Sequence, residues 1–164
     1  MNIPKSVYNY IMLFSVLFFA GILFGNPILV LVSLVPFLLL LMGTILKLPY
    51  DIDVKRELSG DRIYTDDILE VSVEIQIKSG IGAVAITDVL PQELQLCDGN
   101  NLIILWKGFG EKQARMRYRV QCSNAGVYSL DNMICEVRHC IYDHGIRGEV
   151  KKSHTVKVIP RVFA

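Results

Sequence analysis

The chain has 164 residues, with 17 basic and 16 acidic side chains and a formal charge of +1. That balance gives no electrostatic footprint for binding nucleic acid. Its distribution is uneven, because residues 6–46 contain no Asp, Glu, Lys, Arg or His at all.

That apolar run is 41 residues long. A bilayer core of roughly 30 Å takes about 20 helical residues per crossing, so the run predicts two crossings. The break falls at Gly25-Asn26-Pro27, where Gly25 closes one helix, Asn26 suits a turn and Pro27 opens the next helix. The expected helices are 6–24 and 27–46, joined as a tight hairpin. Lys5, Tyr8 and Tyr10 precede it, and Lys47 and Tyr50 follow it. These residues suit a shared membrane interface at the open end. Gly21 and Gly25 form a G-x-x-x-G pair that would let the helices approach closely, with the mere frequency of glycine in membrane helices as the equal alternative, and Pro36 either bends the second helix or has no role beyond packing. A cleaved signal peptide fits less well, since the apolar run is too long and a second span follows at once. Lys5, Lys47, Lys55 and Arg56 lie on the open side and the turn carries no charge, so the positive-inside rule places both termini in the cytoplasm.

Residues 1–50 are thus read as a transmembrane hairpin and 51–164 as one soluble domain with its own core. From Asp51 onward lie all 16 acidic and 15 of the 17 basic residues, so the soluble domain is a single charge from neutral. Residues 53–58 read as a first strand and Gly60-Asp61 as a turn. Residues 68–77 alternate, with Leu69, Val71, Val73, Ile75 and Ile77 on one face. Strands follow at 83–89, 94–96 (short or irregular) and 102–106, the last expected to be buried. Residues 113–122 alternate again, with Ala114, Met116, Tyr118, Val120 and Cys122 inward and Arg115, Arg117 and Arg119 outward. Strands at 127–130, 134–141 and 155–159 complete the set. Eight or nine short strands punctuated by Gly, Asn and Asp turns predict an all-β antiparallel sandwich of immunoglobulin-like size, with a closed barrel as the alternative.

Few residues suggest chemistry. The arginine row could dock a phosphate, an acidic partner or anionic lipid, but a solvated sheet face is the simpler reading. Cys135, His139, Cys140 and His144 are ligand-type residues at short spacing. Four strand residues separate Cys135 from His139 by about 13 Å, too far to converge on one ion. Four cysteines allow two disulfides, but free and mostly buried thiols are favoured. His139, His144 and His154 accompany no nucleophile motif. Asp66-Asp67 sits in a turn, and Gly80-Ile81-Gly82 precedes a strand rather than a phosphate-binding helix. No catalytic, cofactor-binding or metal residues are assigned. The expectation is a protein that is not an enzyme, with no cofactor, small-molecule substrate or nucleic acid.

Several motifs in order carry a family resemblance. The hairpin, then Val54-Lys55-Arg56-Glu57-Leu58, then Val84-Ala85-Ile86-Thr87-Asp88-Val89-Leu90-Pro91 resemble the domain of unknown function 58 family. Tyr118-Arg119-Val120 and Asn124-Ala125-Gly126-Val127-Tyr128 resemble that family's Arg-Gly-x-Tyr turn and the strand before it, with Ala125 in place of Arg. Tyr142-Asp143-His144-Gly145-Ile146 is similar to its Asp-Pro-Phe-Gly-Leu, and Val158-Ile159-Pro160-Arg161 to its closing Val-Tyr-Pro. The resemblance implies two membrane helices, a β-sandwich, and a role as a membrane adaptor beside MoxR-type AAA+ ATPases. Family members continue into a domain similar to von Willebrand factor A. Here the chain stops at Ala164, where that linker would start, implying a shortened member or a partner chain that supplies the rest. The Asp-x-Leu-Pro strand is also similar to extracellular repeat modules of bacterial and archaeal surface proteins, which would face outward. The expected function is a non-catalytic, membrane-anchored scaffold for a protein partner. An integral subunit of a larger membrane complex is the alternative.

Overall fold

The structure is a computed structural model and describes residues 4–160. Arg161, and with it the last motif residue and the end of the second segment, lies outside the described residues. Two helices lead the chain, α1 (Lys5–Leu23) and α2 (Pro27–Ile45), each of 19 residues. At 1.5 Å per residue each is about 28 Å long, close to one bilayer core. Both are long and apolar enough to cross a membrane. Leu23, Ile28, Leu31 and Ile45 are among many large apolar side chains exposed on them, so apolar surface faces outward along both helices.

The turn forms as the sequence predicts. Gly25 adopts φ +59°, Asn26 Oδ1 accepts from the Ile28 amide at 3.0 Å, and Pro27 takes the first helical position, where no N–H is needed. The two glycines divide their roles. A Cβ on Gly21 would lie 2.7 Å from Val30 Cγ2 and 2.8 Å from Val30 N, so Gly21 sets the helix approach; around Gly25 nothing lies within 4 Å. Gly25 therefore serves the turn alone. Ser15, Ser33 and Thr44 donate to the carbonyls of Ile11, Val30 and Leu41, so each hydroxyl is satisfied within its own helix. α2 continues through Pro36, which is buried.

The remaining described residues form two facing sheets. The four-stranded sheet has the order β1 (Tyr50–Leu58), β3 (Ile68–Ser79), β7 (Lys112–Cys122), β5 (Leu94–Gly99). The five-stranded sheet runs β2 (Arg62–Tyr64), β9 (Gly145–Ile159), β8 (Gly126–His139), β4 (Gly82–Asp88), β6 (Leu102–Lys107). The alternating residues Leu69, Val71, Val73, Ile75 and Ile77 of β3 face Val84, Ile86, Leu130, Met133 and Val156 of the other sheet in one core. Met116, Tyr118, Val120 and Cys122 of β7 join them, as their alternation predicts.

The sandwich departs from expectation in particular places. β8 is one strand of 14 residues, where two were expected, and its pairing with β9 shifts between Leu130 and Asn132. A bulge at Asp131 produced the apparent gap. β9 begins ten residues earlier than expected, and β2 pairs with it in parallel, so the sandwich is not wholly antiparallel. β6 is not buried: as an edge strand it turns Leu102, Ile104 and Trp106 outward, exposed. The cysteines are free, but only Cys122 and Cys135 are buried, while Cys97 is exposed.

Candidate functional site

The arginine row lies against acidic neighbours. Arg115, Arg117 and Arg119 pair across β3 with Glu74, Ser72 and Glu70. Arg115 ion-pairs with Glu74, and Arg119 reaches Asp98 at 3.5 Å and Glu70 at 4.0 Å. The outer face of this sheet is a lattice of exposed pairs, each of small energetic weight. Cys135 and His139 share the inward parity of β8 but sit at separate levels. Among the described residues, no three His, Cys, Asp or Glu side chains are grouped to hold a metal ion.

Inside the sandwich lies a polar network that the sequence reading missed. Arg56 of β1 and Asp88 of β4 form an ion pair with both side chains wholly buried. The guanidinium grips the carboxylate with two arms, Nε donating to Oδ2 at 3.0 Å and Nη2 to Oδ1. Its Nη1 donates to the carbonyls of Leu130 and Lys152. Tyr118 of β7 donates its hydroxyl to Asp88 Oδ2 at 2.6 Å. Burial, then the Asp88 charge and hydrogen bond, push the Tyr118 phenol far above its ordinary range. The network joins β1 and β7 of one sheet to β4, β8 and β9 of the other. Parity along β1 carried the signal: Val54 and Leu58 point inward, so Arg56 between them does too. Sealed in this way, the pair cannot meet a substrate; what it can do is fix one sheet's position on the other.

A second cluster ties the sandwich to the hairpin. His139 Nδ1 accepts from the amides of Ile141 and Tyr142, both at 3.1 Å. Its proton is thereby assigned to Nε2, which donates to Leu46 O at 2.7 Å. Tyr142 stacks on His139 with ring centroids 5.0 Å apart and donates its hydroxyl to Leu40 O at 2.6 Å. The Asp143 amide donates to Ser6 Oγ at 2.9 Å, reaching the first turn of α1. On the β3–β4 turn, the Ile81 amide donates to Lys47 O at 2.9 Å. Gly80 and Gly82 lie so close to the linker that a Cβ on Gly80 would meet Leu48 O at 2.2 Å, and one on Gly82 would come 3.1 Å from Pro49 Cδ. His139 is thus a structural hinge-pin, and the Gly80-Ile81-Gly82 glycines serve close approach of linker and sheet.

The third feature is the outer face of β6. Leu102, Ile104 and Trp106 stand beside Thr87, Ala85 and Ala83 of β4, with Ile134 on β8 next in the first row. Glu136, Arg138 and Arg147 bound this apolar surface. Among the described residues, β6 has a strand partner on one side only. The chain is therefore a two-helix apolar hairpin that carries a β-sandwich, clamped to it at one end and bearing an apolar edge. No family model matches the sequence, and no curated protein matches it.

Proposed function

We propose that the chain is a non-catalytic, membrane-anchored β-sandwich, facing the cytoplasm, that docks a protein partner at the membrane surface. The observation that carries this reading is β6, an apolar edge strand with Leu102 and Ile104 exposed and, among the described residues, a strand partner along one edge only. Such an edge accepts a partner's strand through main-chain hydrogen bonds, with side chains alternating into the neighbouring surface. Glu136, Arg138 and Arg147 supply a polar rim around it. Cytoplasmic sidedness is supported by Lys5 and Lys47 at the open end of an uncharged hairpin turn. Of the partner classes implied by the family resemblance, a von Willebrand factor A-like chain or an AAA+ ATPase could offer such a strand. The alternative, an integral subunit of a larger membrane complex, would use the apolar side chains exposed along both helices.

Co-purification in mild detergent tests the reading. The unaltered chain should retain a stoichiometric partner, and Ile104→Glu should release it without unfolding the sandwich. Equal retention by both chains would assign the partner to another surface. Protease protection in sealed vesicles checks sidedness separately: digestion of the sandwich only from the extracytoplasmic side would reverse the orientation.

A further inference from the structure

We infer that the base of the sandwich is itself a lipid-binding surface, with Phe109 and Trp106 seated in the headgroup layer of the bilayer that the hairpin crosses. This rests on the membrane reading above and goes beyond it. It concerns a surface of the β-domain rather than the helices.

The level of that surface follows from the clamp. Tyr142 packs over Gly43, where a Cβ would lie 2.2 Å from its ring, and bonds to Leu40 O at 2.6 Å. Leu40 precedes the end of α2 at Ile45 by five residues, or about 8 Å along the helix. The polar layer on each side of a bilayer core is about 5–8 Å deep. A helix that fills the core puts the Leu40 carbonyl below the core's edge, and the Asp143 amide donates to Ser6 Oγ in the first turn of α1 at 2.9 Å, so the β8–β9 turn lies at that edge, where the headgroups begin.

The β6–β7 corner belongs to the same end. Register places Lys107 beside Gly82, and Gly82 beside His139. Lys107, itself buried, donates its ammonium to the carbonyls of Gly80 at 3.3 Å and Gly108 at 3.0 Å, and also to that of Gly110. That cation pins the corner to the turn that touches the linker. Gly110 takes φ +83°, and between the two glycines Phe109 is 91% exposed. Trp106 is 59% exposed and pairs with Ala83, one residue from the linker-contacting Gly82. One strand residue is about 3.3 Å, so the indole stands within the same layer. Tyr50, exposed at the start of β1, adds a third aromatic to this rim.

Trp and Tyr are the residues that membrane interfaces favour, because their rings take both apolar and polar surroundings. The charges at this end are mixed. Lys5 and Lys47 stand at the open end of the hairpin, Lys78 faces Asp51 at 4.0 Å, Lys112 adjoins Glu111, and Asp143 lies in the β8–β9 turn. Attraction to the bilayer therefore comes from aromatic burial, and anionic lipid is not required.

Trp106 is the chain's single tryptophan, so its emission reports this site alone. The full chain would be placed in phosphatidylcholine vesicles, with or without lipid brominated at shallow acyl positions. The expected result is blue-shifted emission that bromolipid quenches and aqueous iodide barely touches, unchanged by added phosphatidylglycerol. Phe109→Ser, at a side chain that is 91% exposed, should weaken the bromolipid quenching and strengthen that by iodide. Alkaline extraction is run in parallel. A chain that resists extraction while iodide alone quenches Trp106 overturns the inference and leaves the membrane reading intact. Protection from both quenchers also overturns it, assigning the rim to a second copy or another protein. Release by alkali overturns both readings.

Discussion

Tyr142 occupies the space that a side chain at Gly43 would need: a Cβ built there would lie 2.2 Å from Cζ and 2.6 Å from the hydroxyl. The ring of one segment is thus fitted to the bare backbone of the other, and the Tyr142–Leu40 O bond forms only because Gly43 is bare. Gly43→Ala should swing Tyr142 away and lose that bond, costing about 1 kcal/mol. Hydrogen exchange of the full chain in micelles would show it. The Ile81, Ile141 and Tyr142 amides should exchange about fivefold faster, while β3 and β7 are unchanged. Uniformly faster exchange would mean that Gly43 supports the whole fold rather than the clamp.

The Arg56–Asp88 pair makes a different kind of demand. Removing one partner strands a buried charge, so Arg56→Met or Asp88→Leu alone should each cost about 3–5 kcal/mol. Removing the charges together, with Tyr118→Phe to delete the remaining donor to Asp88, should restore much of that loss, since apolar residues can replace a buried pair at little cost. Thermal unfolding of the full chain in micelles, followed by circular dichroism, measures both. A triple variant no better than the worst single one would show that the network contributes more than charge balance.

How far these features were legible depends on how local their cause is. The hairpin was readable because residues 6–46 carry no charge and Gly25-Asn26-Pro27 carry turn chemistry in three consecutive residues. β3 was readable because one face is core and the other is water, which writes a period of two directly into 68–77. The first half of β9 was not, because of residues 145–154 only Val150 is an apolar residue packed against the core, and the segment is held mainly by pairing with β8. β2 is three residues long and exists through a parallel partner nearly a hundred positions away. Leu102, Ile104 and Trp106 looked like core because apolar residues were equated with burial, whereas the edge position of β6 leaves them outside. The clamp joins Leu40 to Tyr142 and Leu46 to His139, and neither end carries a local pattern that names the other.

Tyr118 links the network to pH. Its phenol is held far above the ordinary value, first by burial and then by Asp88. An unfolded tyrosine titrates near about 10. Below that pH both states hold the proton, and the hydrogen bond contributes in full. Above it the unfolded chain releases the proton and the folded chain keeps it, so stability falls by about 1.4 kcal/mol per pH unit from this residue. Tyr118→Phe should cost about 1–3 kcal/mol at neutral pH and remove that slope. Urea unfolding of both chains from about pH 8 to about pH 11 should therefore show their stabilities converging. Parallel curves would place the alkaline sensitivity in other groups.

Thiol labelling separates core from clamp. Cys97 is exposed, Cys140 is partly exposed in the β8–β9 turn, and Cys122 and Cys135 are buried. Burial also pushes the Cys135 thiol above its usual range, lowering the fraction of reactive thiolate. Maleimide at neutral pH should label Cys97 first and Cys140 more slowly, with Cys122 and Cys135 labelled only in denaturant; peptide mass spectrometry reads each site. Tyr142→Ala frees the turn from Leu40 O, so it should speed labelling at Cys140 while leaving Cys97 at its original rate. Labelling of Cys135 at the same time as Cys140 would mean that clamp and core open as one unit, and that the hairpin contributes to holding the sandwich closed.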